Sequence, residues 1–92
     1  FKYYENLKKL YLYHNNLESI EKNSFKYLYN LDALELSYNK IERIKPDSFS
    51  DMKDLSFLNL DNNQLFLIEE YYFEELTSLK DLRLRNNKIN YI

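Results

Sequence analysis

A 24-residue period runs through this chain and constrains its fold more than any other feature. Leu7, Leu31, Leu55 and Leu79 stand 24 residues apart. The same step carries Leu10 to Leu34, Leu58 and Leu82, and Leu12 to Leu36, Leu60 and Leu84. It carries Asn15 to Asn39, Asn63 and Asn87, then Leu17 to Ile41, Leu65 and Ile89. It also carries Ile20 to Ile44, Ile68 and Ile92, and Phe1 to Phe25, Phe49 and Phe73. No insertion or deletion breaks the register. A strict repeat of this length makes each unit one supersecondary element that buries its apolar face only by stacking on its neighbours.

The residues within a unit predict how it stacks. Leu10-Tyr11-Leu12 alternates with period 2, so the leucines face one side and Tyr11 the other, as in a short strand. Parallel stacking of successive units sets such strands ~4.8 Å apart. The asparagine column, Asn15, Asn39, Asn63 and Asn87, sits where the strand ends and the chain turns inward. An amide there bonds backbone groups of its own and the neighbouring coil, so that no buried donor is orphaned. Phe25, Phe49 and Phe73 are expected to stack behind the strands and fill the return side of each coil.

Composition narrows the function. With no Cys the chain has no disulfide framework, Cys-ligated zinc site or thiol nucleophile, and with no Gly it has no glycine-rich phosphate loop. One His leaves little for metal or acid–base chemistry. The longest apolar run, Leu65-Phe66-Leu67-Ile68, is far short of the ~20 residues that span a bilayer, so no direct membrane insertion is expected of this segment. Thirteen basic against fifteen acidic side chains leave a net charge of -2, too little to recruit polyanions globally. No metal or other cofactor is expected.

Written out, the unit is L-x-x-L-x-L-x-x-N-x-[LI]-x-x-I-x-x-x-x-F-x-x-[LM], which resembles the leucine-rich repeat over the whole chain. The 24-residue length with F-x-x-L in its second half is similar to the typical subclass found in extracellular leucine-rich-repeat proteins. The resemblance implies an α/β solenoid. Its right-handed coil would carry a short parallel β-sheet on the concave face and irregular or short helical convex returns. It also implies a protein-recognition scaffold in a secreted or cell-surface protein, among innate-immune receptors, adhesion molecules and matrix proteins, with a protein ligand or co-receptor as partner. Residues 1–92 then form one solenoid: a partial repeat 1–6, repeats 7–30, 31–54 and 55–78, and a partial repeat 79–92. Phe1 and Tyr4 open the chain in mid-repeat and Ile92 closes it in mid-repeat, which predicts an internal piece of a longer solenoid.

Function in such a coil belongs to side chains that point away from the core. The outward strand columns are Lys9, Ala33, Phe57, Asp81; Tyr11, Glu35, Asn59, Arg83; and Tyr13, Ser37, Asp61, Arg85. His14, Tyr38, Asn62 and Asn86 follow at the strand ends. Exposed Tyr and Arg are the types that most often anchor protein interfaces. The expected partner-binding set is therefore Tyr11, Tyr13, His14, Glu35, Tyr38, Phe57, Asp61, Arg83 and Arg85. On the opposite side, Phe66, Leu67, Tyr71 and Tyr72 are rimmed by Glu69, Glu70, Glu74 and Glu75. Tyr72 and Leu67 read as partly buried in the return loop, and the glutamates as a solvated edge. The competing functional reading is a structural protein whose repeats assemble into oligomers through convex or lateral surfaces.

Two chemistries are set aside at this level. His14, Ser37 and Asp61 come from adjacent units, but a hydrolytic triad needs His between nucleophile and carboxylate, and the strand order puts Ser37 in the middle. No enzyme is expected. Nucleic acid is not expected as a partner either. Lys8 and Lys9 lie at the opposite end from Arg83 and Arg85, with Glu35 and Asp61 between, so no continuous phosphate track forms.

Overall fold

The computed structural model describes residues 6–22 and 24–90. Phe1, Tyr4 and Ile92, on which the repeat arithmetic also draws, lie outside the described residues.

Each L-x-L triplet forms a three-residue strand. These are β1 (Lys9–Tyr11), β3 (Ala33–Glu35), β5 (Phe57–Asn59) and β6 (Asp81–Arg83), paired in parallel in the order β1-β3-β5-β6. The register keeps the 24-residue step, with Leu10 opposite Leu34, Leu34 opposite Leu58 and Leu58 opposite Leu82. Backbone bonding outlasts the strands: the His14, Tyr38 and Asn62 amides donate to the Ser37, Asp61 and Arg85 carbonyls at 3.1, 3.1 and 2.8 Å. Three-residue strands thus belong to a longer ladder.

The asparagines do what the strand-end position requires. Asn39 donates from Nδ2 to the carbonyls of Leu12 in the preceding coil and Leu36 in its own, both at 3.0 Å, while its Oδ1 accepts the Leu17 amide. Asn63 repeats this with Leu36, Leu60 and Ile41, and Asn87 with Leu60, Leu84 and Leu65. Asn15 bonds its own coil, through the Leu12 and Tyr13 carbonyls. In the coils of Asn39, Asn63 and Asn87 one side chain thereby satisfies three backbone groups that would be orphaned where the chain turns.

Behind the sheet the F-x-x-[LM] element is a turn. The carbonyls of Phe25, Phe49 and Phe73 accept the amides of Leu28, Met52 and Leu76 at 3.1–3.3 Å. The phenylalanine rings stack at 6.2 Å (Phe25–Phe49) and 6.4 Å (Phe49–Phe73), forming a spine parallel to the leucine columns. Phe25 and Phe49 are buried, whereas Phe73 is only partly so.

Two features add to the sequence reading. Beside irregular segments and a short helical turn, the returns carry β2 (Ser19–Ile20) and β4 (Arg43–Ile44), which pair into a second parallel sheet, and Leu67 forms a single bridge one step further on. Ile20 and Ile44 of the isoleucine column thus lie in paired strands, because the 24-residue step sets them opposite each other and extended backbone pairs the intervening groups. The only helical segment among the described residues is a 3-10 turn, Glu70–Tyr72. The leucine columns are also not uniformly buried. Leu34 and Leu58 are sealed, but Leu82, in the last described strand, is 37% exposed.

Candidate interaction face

The sheet presents its outward columns on one face, and their 24-residue register sets side chains of neighbouring coils side by side. Tyr11 stands opposite Glu35, and Phe57 opposite Asp81. Paired backbone on both sides fixes these spacings.

At the strand ends the chain turns through the left-handed region. His14, Tyr38, Asn62 and Asn86 all have φ between 56° and 59°. A side chain other than Gly pays for that conformation by roughly 1–2 kcal/mol, while Asn tolerates it through local bonding. Histidine is enriched there relative to most residues, but a bulky Tyr is an outlier. Asn62 and Asn86 are therefore the economical occupants of the column, and Tyr38 is the strained one. His14, Asn62 and Asn86 are residue types that favour this backbone angle, but Tyr38 in the same column is not, and its angle follows only from the repeat.

His14 and Tyr38 stack with ring centroids 4.6 Å apart and planes inclined by 16°, and Tyr13 meets His14 edge-on at 5.4 Å. Together with Tyr11, Glu35 and Ser37 they line a concavity of about 410 Å³. Tyr11, Tyr13 and Tyr38 are each more than half exposed. Glu35 forms part of the wall. Its Oε1 accepts the Ser37 amide and its Oε2 accepts Asn59 Nδ2, both at 3.0 Å.

The remaining expected residues gather elsewhere on the face. Arg83 lies over the Phe57 ring, 5.1 Å from its centroid, and pairs with Asp81 at 3.2 Å. That bonding to Asp81 raises the Arg83 guanidinium above its ordinary range, so it stays charged. Asp61 is not the exposed carboxylate that its column suggests. It is buried, with Oδ1 accepting the Arg85 amide at 2.7 Å and Oδ2 pairing with the Arg85 guanidinium at 3.3 Å. Burial of an unpaired carboxylate is costly, and the next coil's arginine removes that cost. Ser37 is buried as well. The single face expected from sequence is thus divided into an aromatic concavity around Tyr38 and a paired charged group around Arg83 and Arg85. Ser37, Asn59 and Asp81 were not in the expected set, and each could have been found as the 24-residue neighbour of a residue that was.

The convex patch follows the expected partial burial. Tyr72 is buried, and burial pushes its phenol pKa up. Leu67 is half-buried, while Phe66 and Tyr71 remain exposed beside a cleft of about 390 Å³. Among the described residues no helix is long and apolar enough to cross a membrane.

The family model described as Leucine rich repeat matches residues 5–65. No curated protein sequence matches the chain. Among solved structures, the crystal structure of a TLR13–ssRNA13 complex is similar over 99% of this chain, at 36% identity and a TM-score of 0.94. This chain spans 13% of the length of that one. The single-stranded RNA belongs to that protein's complex, and it stands in tension with the expectation of no nucleic-acid partner. Register, asparagine ladder and phenylalanine spine recur every 24 residues, the family model covers more than half of the sequence, and the chain belongs to the leucine-rich-repeat family.

Proposed function

We propose that this chain is a recognition segment of a secreted or cell-surface protein, non-enzymatic and of immune or adhesion type. It binds a protein ligand or co-receptor through its concave face. The observation that carries the reading is Tyr38: a bulky aromatic holds a left-handed position in a column otherwise filled by His14, Asn62 and Asn86. Strain held where packing gains nothing concentrates at binding sites, and here it sets an exposed ring against His14 at the mouth of the concavity. The binding set is Tyr11, Tyr13, His14, Glu35, Tyr38, Phe57, Arg83 and Arg85, with the buried Asp61 holding Arg85 in place. The aromatics supply buried area, and the charges tune on-rate and partner choice. The extracellular location is supported by the resemblance to the 24-residue subclass.

Nucleic acid is the partner named for the similar TLR13 complex. In this segment Arg83 and Arg85 are paired with Asp81 and Asp61, and Glu35 stands in the concavity, so the face offers little free positive charge to phosphates. Protein is therefore the favoured partner. The test captures partners from an extracellular fraction, identifies them, and remeasures affinity with variants. Tyr13→Ala with Tyr38→Ala should weaken binding by more than ~2 kcal/mol with the fold intact, while a double substitution of the convex Glu69 and Glu74 leaves it unchanged. Loss in the convex pair alone moves the functional face to the other side, and capture of RNA alone replaces the protein reading.

A second reading, assembly into oligomers, is favoured by the exposed Phe66 and Tyr71 beside the convex cleft. Light scattering separates the two: growth with concentration supports assembly, and a stable monomer supports the recognition reading.

A further inference from the structure

Along the concave sheet the chain supplies arginines to its own aromatics and acids at one end and none at the other. At the far end Arg83 covers Phe57 and pairs with Asp81, and Arg85 pairs with Asp61. The same two columns hold Tyr11 and Glu35, and Tyr13 and Ser37, at the near end. There the aromatics and the carboxylate are present without a paired cation: Lys9, the exposed cation of β1, forms no ion pair with Glu35, and Arg83, bonded to Asp81, reaches Glu35 only through longer-range attraction. Among the described residues Glu35 receives only neutral donors, the Ser37 amide and the Asn59 side chain, one on each oxygen. A carboxylate has about four acceptor sites, so acceptor capacity remains on both oxygens.

We propose that this concavity takes the guanidinium group of an arginine side chain presented by a protein partner, an inference that rests on the protein-recognition reading above. A guanidinium is planar and weakly hydrated, stacks on aromatic faces and bonds a carboxylate with two parallel donors. Those are the two surfaces that Tyr11, Tyr13, Tyr38 and Glu35 offer together. The Arg83–Phe57–Asp81 group is the same arrangement completed from within the chain. The ammonium of lysine is more compact and strongly hydrated and gains less from ring faces. A phosphate would meet the Glu35 charge.

The intact protein, with 13C-labelled Tyr and His rings, is titrated with N-acetylarginine methylamide, with its uncharged citrulline counterpart, and with a short single-stranded oligoribonucleotide. The arginine probe should shift the ring signals of Tyr11, Tyr13, His14 and Tyr38, and the citrulline probe should bind at least about tenfold more weakly. Glu35→Gln should weaken the arginine probe to a similar degree while retaining an acceptor for the Ser37 amide. Tyr38→Asn, which the left-handed column accommodates at Asn62 and Asn86, should do the same in a folded protein. Equal shifts from citrulline, or arginine shifts that survive both substitutions, overturn the inference. Shifts from the oligoribonucleotide with a silent arginine probe reassign the concavity to nucleobases. Where a captured protein partner responds to the Tyr13/Tyr38 pair but not to Glu35→Gln, the concave face stands as the binding face and the arginine assignment falls.

Discussion

Asn15 and Asn39 occupy the same place in successive coils, yet they hold very different positions in the structure. Asn39 is buried and ties together two coils, taking in the Leu12, Leu36 and Ser37 carbonyls and the Leu17 amide. Asn15 is exposed and bonds only carbonyls of its own coil, Leu12 and Tyr13. The leucines show the same contrast: Leu34 and Leu58 are fully buried in the middle strands, whereas Leu10 is partly buried and Leu82 exposed in the flanking ones. Within these 92 residues, identical side chains at identical repeat positions are therefore not equally enclosed. What each contributes is set by the coils on either side, as expected where stability is a sum of unit and neighbour-interface terms.

The phenylalanine spine gives the largest test of that contrast. Phe49 lies between Phe25 and Phe73 and is sealed, so Phe49→Ala should destabilise by roughly 3–5 kcal/mol. Phe73→Ala, at a partly exposed site with one described ring neighbour, should cost clearly less. Equal losses in chemical denaturation would show that neighbours do not set the value of the position.

The asparagine ladder comes next. Asn39→Ala and Asn63→Ala each leave buried backbone groups unsatisfied, at ~1–3 kcal/mol per group. Asn15→Ala breaks exposed bonds that water replaces and should cost at most about 1 kcal/mol. Thermal melts that rank Asn15 with Asn39 would break the comparison outright.

The left-handed column makes a finer distinction, within one position. Ala normally outranks Gly in folded structure, but at φ 57° the order should reverse. Tyr38→Gly is expected to be more stable than Tyr38→Ala by roughly 1 kcal/mol, since both lose the His14 stack and only Ala keeps the Cβ clash. An Ala variant as stable as the Gly variant removes the strain on which the functional reading of Tyr38 depends.

The smallest effect concerns a contact between coils that repels instead of binding. Glu75 has its carboxyl pKa raised, first by burial and then by the charge of Asp47, which also bonds it, with Glu74 and Asp51 adding to the repulsion. A carboxyl whose folded pKa lies above its unfolded one contributes stability below the unfolded value, and loses it as pH rises through the folded one. At neutral pH ionised Glu75 is a liability. Glu75→Gln should raise the melting temperature slightly at pH 7, and the gain should shrink toward pH ~4, where the wild-type carboxyl is protonated. A gain that does not change with pH would assign the effect to packing.

Much of this architecture was legible before any coordinate. Every leucine, asparagine and phenylalanine column recurs at one step, and a stack of equal units has only one register in which all columns meet. The concave aromatics were legible for the same reason: Tyr11, Tyr13 and Tyr38 stand at positions that cannot face the core. The isoleucine sheet was not, because two-residue strands leave no alternation to read, and Ser19–Ile20 becomes a strand only when Arg43–Ile44 lies beside it. Nor was the state of Asp61. Its column marks it as outward, but burial depends on the Arg85 side chain and amide of the next coil.

The sequence by itself determined the unit, its period, the stacking direction and the residues that fill the core, because those follow from periodicity and from the need to pair every buried backbone group. Tertiary structure alone decided which charges on the concave face are already neutralised, that Tyr27 and Tyr38 take left-handed backbone, and where Tyr11, Tyr13, His14, Glu35, Ser37 and Tyr38 close around one concavity. Those outcomes depend on distances between side chains of different coils and on backbone angles at the strand ends, quantities that a repeat pattern orders without setting their values.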